Sequence, residues 1–479
     1  MQLEMSQMKK THALVVVSFA AVAVGAAIAS CTSFSSGDNG GQGGAGGDTS
    51  GGGTGGMTTT GNGGSTDTGA GGSTTTGGGG STTTGAGGTA GAAGAGPGTG
   101  GRTGMGGTTT GAGGTTTGAG GTVASTSLPC DILNAAGNTC VAAHSTIRLL
   151  NSKYTGPLYQ VCKGATALGP NACTGGAAAE MDIPQLNGYA DASVQNTFCA
   201  GAVCSIFTIY DQSGMGNLLR PSPKGGHSPT ANGPAIATAL PTKAGGHNLY
   251  GVYIRQVQGY RAGCTQCAVA PGPAKGVATG DMPETEYMVT SQNKLIDGCC
   301  FDYGNAETDS IDDKAGTMEA VYFGGGVVWG TGAEGGHSDS TNPWVMADLE
   351  DGLYAGWSTT LPPSASQQIV SNTALHFNFV TALIIGDTAD KNAGKGRFAI
   401  MGGDATSASP LKVMYDGIRP TTTGYNPSKK QGSIILGTGG DNSNTAEGYF
   451  YEGVMAQGAA STATLAALQA SIAAAKYGQ

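Results

Sequence analysis

Charge is scarce in this sequence: acidic and basic residues make up 11% of its 479 positions, with 31 acids against 22 bases and a net charge of -9. Without a basic face nothing can neutralise a phosphate backbone, so nucleic acid is excluded as a partner and a neutral polymer fits better. Metal-ligand spacing is missing as well. There are six histidines, and His144, His227, His247, His337 and His376 are scattered among them without such spacing, so neither a metal nor another cofactor is expected. His337 near Asp339 hints at an esterase, but no G-x-S-x-G elbow accompanies the pair. Aromatic and large aliphatic side chains are almost absent from residues 32–127, which are nearly all Gly, Thr, Ser and Ala. Such a stretch cannot bury enough apolar surface to fold and is read as a disordered linker.

The first long apolar run lies at the start of the chain, where Lys9 and Lys10 precede Ala13 to Ala29. That is the layout of a secretory signal, and Ile28-Ala29-Ser30-Cys31 resembles a bacterial lipoprotein processing site. Residues 1–31 are therefore expected to be a signal peptide ending in a lipidated Cys31. The chain would be exported and held by a lipid bilayer at the bacterial cell surface or outer membrane, or released outside the cell. An uncleaved membrane helix is the alternative. Within the linker an eight-residue period runs from Thr58 to Thr89, as a glycosylated stalk or as simple repeat expansion in a spacer. A Gly-rich coil of this length reaches on the order of 50 to 60 Å, enough to clear a headgroup layer.

From Leu128 the composition turns ordinary, and residues 128–479 are read as one domain. Short apolar or alternating runs recur between Gly, Asn, Asp and Pro clusters, among them Ser205 to Tyr210, Ala320 to Phe323, Val380 to Ile385 and Ser433 to Leu436. This spacing predicts an all-β domain, a sandwich of antiparallel strands with a few short helices. Helices are expected near Val141 to Leu150 and over Ser461 to Lys476, the second capped by Ser461. Setting Cys31 aside, ten cysteines remain, in close pairs that five local disulfides would use: Cys130-Cys140, Cys162-Cys173, Cys199-Cys204, Cys264-Cys267 and Cys299-Cys300. Cys264 and Cys267 could instead be half of a metal or redox motif. Cys299 and Cys300 could each bridge elsewhere, although a vicinal bridge is the kind of unusual geometry that gathers at functional sites.

Several motifs carry a family resemblance: Pro129-Cys130-Asp131-Ile132, the stretch Cys140 to Thr146, the stretch Tyr210 to Asn217, CCFDYGNAET from Cys299, Asp348-Leu349-Glu350, and GGDNSN from Gly439. Together they resemble the catalytic domain of α-L-arabinofuranosidase B, glycoside hydrolase family 54. The resemblance implies a concanavalin-like jelly roll, a retaining mechanism, Glu350 as nucleophile and Asp441 as acid/base. It places Trp329, Asp348, Gly440 and the Cys299-Cys300 disulfide around an arabinose ring. The family usually follows its nucleophile with two asparagines. Asp351 and Gly352 stand there in this sequence, so a polar contact to the sugar or to neighbouring backbone is expected to be altered at Asp351. The family's C-terminal arabinose-binding β-trefoil is expected to be missing. The implied substrates are terminal α-L-arabinofuranosyl residues on arabinan, arabinoxylan or related plant polysaccharides, hydrolysed by a monomer.

Strand alternation alone would put Trp344, Met346, Asp348 and Glu350 on one face and Val345, Ala347 and Leu349 on the other. Asp441 follows a strand and a Gly-rich turn, where a carboxylate can project over a cleft or simply close an Asx-turn. Retaining glycoside cleavage needs two carboxyls ~5 to 5.5 Å apart. Asp302, Glu307, Glu319, Glu447 and Glu452 are the other acids that could serve. The competing readings are a non-catalytic surface lectin for arabinose-containing glycans and an adhesive stalk protein.

Overall fold

The computed structural model describes residues 127–164, 168–170, 173, 179–268, 271–296, 298–325, 341–356, 372–388, 396–420 and 424–479. The proposed signal segment, Cys31, the linker, Trp329, His337 and Asp339 lie outside the described residues.

Two seven-stranded sheets dominate. One runs in the order Cys140–Ser145, Gly448–Gln457, Glu284–Thr290, Val380–Asp387, Arg397–Asp404, Lys412–Ile418, with Val252–Ile254 also paired to Gly448–Gln457. The other runs Leu353–Tyr354, Trp344–Asp348, Glu319–Gly324, Asp302–Ala306, Ser433–Leu436, Tyr260–Ala262, Arg220–Pro221. Every strand pairing within them is antiparallel. The chain is thus an all-β protein with few helices.

The sheets pack face to face through apolar side chains sized to interlock, with Glu284, Glu286, Glu319 and Lys430 forming a buried polar group between them. Tyr303 of the second sheet lies against Gly453 of the first, where an added Cβ would come within 2.6 Å of the ring. Val345 meets Gly402 in the same way, at 2.8 Å. The ring of Tyr303 cannot easily retreat, since its hydroxyl is hydrogen-bonded to His144 Nδ1 at 3.0 Å.

One expectation changes here. The segment near Val141 is the strand Cys140–Ser145, buried along its whole length and paired with Gly448–Gln457, so tertiary pairing overrides its helical pattern. Two short helices, Pro129–Ala135 and Ala192–Phe198, were not signalled by apolar periodicity. The last helix, Thr462–Ala473, does form: the Ser461 hydroxyl accepts from Thr464 N at 3.2 Å, and Leu465, Leu468 and Ile472 are buried. Local disulfides join Cys130–Cys140, Cys162–Cys173, Cys199–Cys204, Cys264–Cys267 and Cys299–Cys300.

Candidate functional site

The site gathers beside the second sheet, from segments that leave opposite ends of its strands. Strand Trp344–Asp348 stops at Asp348, and the next residues turn sharply: Glu350 and Asp351 have φ of 62° and 55°. This left-handed backbone is unfavourable for a residue such as glutamate and persists only where surroundings hold it. Here Asp348 Oδ1 accepts from Glu350 N at 3.1 Å, and the Tyr425 hydroxyl donates to Glu350 O at 3.1 Å. The simple alternation of residues 344–350 therefore fails at its last member, because Glu350 is no longer in the strand. Nor is either face of that strand solvated: all five residues are buried.

Asp351 contacts neighbouring backbone. Its carboxylate accepts from Ala315 N at 3.1 Å, while Gly316 N donates to Leu349 O at 2.8 Å, so the residue fastens its turn to the 312–316 loop.

The GGDNSN run is clamped from two sides. Asp441 Oδ1 accepts from Ser443 N at 2.9 Å, the Asx-turn anticipated for it, and Gly439 N donates to Ser443 O at 2.8 Å. The Ser443 hydroxyl then touches Cys299 Sγ at 3.2 Å, and Thr445 N donates to Cys299 O at 2.9 Å. The vicinal disulfide thus lies between this run and Asp348, whose Oδ2 is 3.1 Å from Cys300 Sγ. Behind Cys300 lies a buried apolar group that includes Tyr322, Trp344 and Met346. Cys299, Cys300 and Asp348 bring possible metal-ligand atoms within 4.8 Å of one another, but the two sulfurs are bonded to each other, leaving one anionic group.

Gly440 joins the two halves. A Cβ there would overlap Glu307 Oε2 and stand 3.0 Å from Glu350 Oε2, so the backbone next to Asp441 rests directly on both carboxylates. Asp302 and Glu307 enter the site as well. Burial pushes the Glu350 carboxyl well above the usual range, and the charges of Glu307, Asp348 and Asp441 add to this. Asp348 is pushed up to about 7, again mainly by burial, with its bond from Glu350 N acting against the rise. Glu307 is raised to about 7 by burial, and Asp302 is raised well above its ordinary value by burial and by Asp348.

The other candidate acids are occupied elsewhere. Glu452 pairs with Arg148 at 2.7 Å and accepts from Tyr287 and Tyr477; Glu319 lies 3.5 Å from Lys430; Glu447 accepts from Tyr253 at 2.5 Å. Arg261, Tyr425 and Ser443 were not foreseen. Ser443 lay within the GGDNSN run, and Arg261 carried a signal as one long cation in a short strand between Tyr260 and Ala262.

An all-β protein with buried carboxyls converging beside a disulfide and a glycine-lined backbone is, in class, a protein built to handle a small polar ligand. Its family follows from comparison: the sequence profile of the α-L-arabinofuranosidase B catalytic domain matches residues 129–478. The chain belongs to that family. It is 46% identical over 353 residues to a probable α-L-arabinofuranosidase B of Aspergillus fumigatus, covering 73% of this chain and 62% of the relative. It is 45% identical to an arabinofuranosidase/β-xylosidase of Trichoderma koningii, over 73% and 63% of the respective chains. A crystal structure of an arabinofuranosidase complexed with arabinofuranosyl-α-1,2-xylobiose superposes with a TM-score of 0.61 at 41% identity, covering 73% of this chain and 65% of that one. The chain therefore spans less than two thirds of the length of these relatives.

These comparisons correct one expectation. The relatives from Aspergillus and Trichoderma are fungal enzymes, and this eukaryotic kinship overturns the placement of the chain as a lipid-anchored protein of a bacterial surface. A charged stretch, an apolar run and a cysteine are a weak signature, which short-range sequence can reproduce without the processing it suggests.

Proposed function

We propose that this chain is a retaining, exo-acting α-L-arabinofuranosidase that removes terminal α-L-arabinofuranosyl residues from arabinoxylan, arabinan or related polysaccharides, on a concanavalin-like jelly roll. Glu350 is the nucleophile and Asp441 the acid/base. The observation that carries this reading is Gly440: a Cβ there would stand 3.0 Å from Glu350 Oε2, and Asp441 follows directly in the chain, which brings two acids from distant parts of the sequence near each other. The arabinofuranosyl-xylobiose held by the solved relative supports the substrate class.

In the first step the Glu350 carboxylate attacks the anomeric carbon while Asp441 protonates the departing oxygen; in the second, Asp441 takes a proton from water, which displaces Glu350. The disulfide and Gly440 shape the wall for the furanose, and Asp348 accepts its hydroxyls. Asp351 acts through the turn that it fastens. One copy carries both acids, so a monomer is the proposed working unit. Proton NMR of the first-formed sugar from 4-nitrophenyl α-L-arabinofuranoside tests the reading: the α-anomer is expected, and release of the β-anomer, or no turnover, defeats it.

The pH dependence follows from the same geometry. Glu350 must be ionised to attack, and its raised pKa means that activity disappears as pH falls through a value above the ordinary carboxylate range. Glu307→Gln removes the first-named charge acting against that ionisation. With that charge gone, the acid limb of kcat/KM is expected to move to lower pH. A limb that stays in place or rises contradicts the arrangement.

A further inference from the structure

Arg261 is buried, at 1% exposure, in the strand next to the edge of the second sheet, yet it forms none of the described ion pairs. Its guanidinium donates instead to three backbone carbonyls: Nη1 to Glu307 O at 2.6 Å, and Nη2 to Gly439 O at 3.0 Å and to Gly440 O. Two of these carbonyls belong to the residues just before Asp441, and the third to the residue whose carboxylate lies against Gly440. The nearby negative charges are those of Glu307, Asp441, Glu350 and Asp309. Hence a planar cation ties the Asp441 segment to the end of strand Asp302–Ala306, while its charge serves several acids at once.

Resting on the proposed hydrolase reading, we infer that Arg261 is a positioning residue: its fork sets the approach of the Asp441 segment to Glu350, and its charge keeps the pocket's acids ionisable. Lysine keeps the charge but has no rigid fork to span three carbonyls, whereas methionine keeps bulk and loses both. A misplacement of about 1 Å in a catalytic group lowers turnover by ~10²-fold.

The test compares wild type, Arg261→Lys and Arg261→Met on 4-nitrophenyl α-L-arabinofuranoside, with rates normalised to the folded fraction from circular dichroism. Arg261→Lys is expected to lower kcat on the order of 10- to 100-fold, with little change in KM and an unmoved acid limb. Arg261→Met is expected to lower kcat and to shift the acid limb to higher pH, the opposite sense from Glu307→Gln. A purely structural role would reduce the folded fraction without moving the limb. An Arg261→Lys variant with wild-type kcat overturns the inference by itself, even if Arg261→Met does not fold, and so does an Arg261→Met variant whose limb stays in place. An inert wild type overturns the hydrolase reading and this role together.

Discussion

Glu350→Gln is expected to reduce turnover of an aryl α-L-arabinofuranoside on the order of 10⁴-fold or more, since the amide cannot form the glycosyl ester. The change is nearly isosteric, so the Tyr425 bond to the backbone carbonyl and the positive-φ turn remain. Stability should move the other way. A carboxyl whose folded pKa is raised binds its proton in the native state at pH values where the unfolded chain has released it. Native stability therefore falls as pH rises from the unfolded value toward the folded one. Gln carries no such liability, and near neutral pH the variant should unfold at the same temperature as wild type or higher. Loss of activity with retained or increased Tm marks a buried functional acid. A variant that keeps a tenth of wild-type kcat would remove Glu350 from the nucleophile role.

Gly440→Ala should show how tightly the two halves of the site are joined. The new methyl would overlap Glu307 Oε2 and crowd Glu350 Oε2 at 3.0 Å. Glu307 has little room to withdraw, because it is buried and its Oε1 accepts from Thr317 Oγ1 at 2.5 Å. Either that bond breaks or the backbone before Asp441 shifts, against its hold by Arg261. A fall in kcat of about 10²-fold is expected from the displaced acid, with overpacking destabilising the fold by ~1–3 kcal/mol. Adding Glu307→Ala clears the space, so the double variant should regain part of the lost rate relative to Gly440→Ala alone. Wild-type kcat in Gly440→Ala would mean that the backbone contact with the acids has no bearing on the chemistry.

How legible the protein was depended on the range of the interaction. The strand at Ser433–Leu436 and the cap at Ser461 are decided by side chains a few residues apart, and apolar runs and capping oxygens announce them. Cysteine pairing is local for the same reason, with partners 1 to 11 residues apart in sequence. The stretch from Val141 illustrates the limit: its pattern suits a helix, but pairing with a strand some three hundred residues on makes it a strand.

The site divides along the same line. Motifs in the sequence singled out Glu350, Asp441 and the vicinal cysteines. Tertiary structure alone decided that Glu307 and Asp302 join those acids while Glu319, Glu447 and Glu452 are consumed by Lys430, Tyr253 and Arg148. It also decided that Asp351 fastens a loop and that Arg261 donates to the backbone carbonyls of Glu307, Gly439 and Gly440. The physical reason is that a carboxyl's protonation and freedom depend on burial and on charges brought near it from other strands. Those neighbours are separated in the chain by distances over which no local pattern carries information.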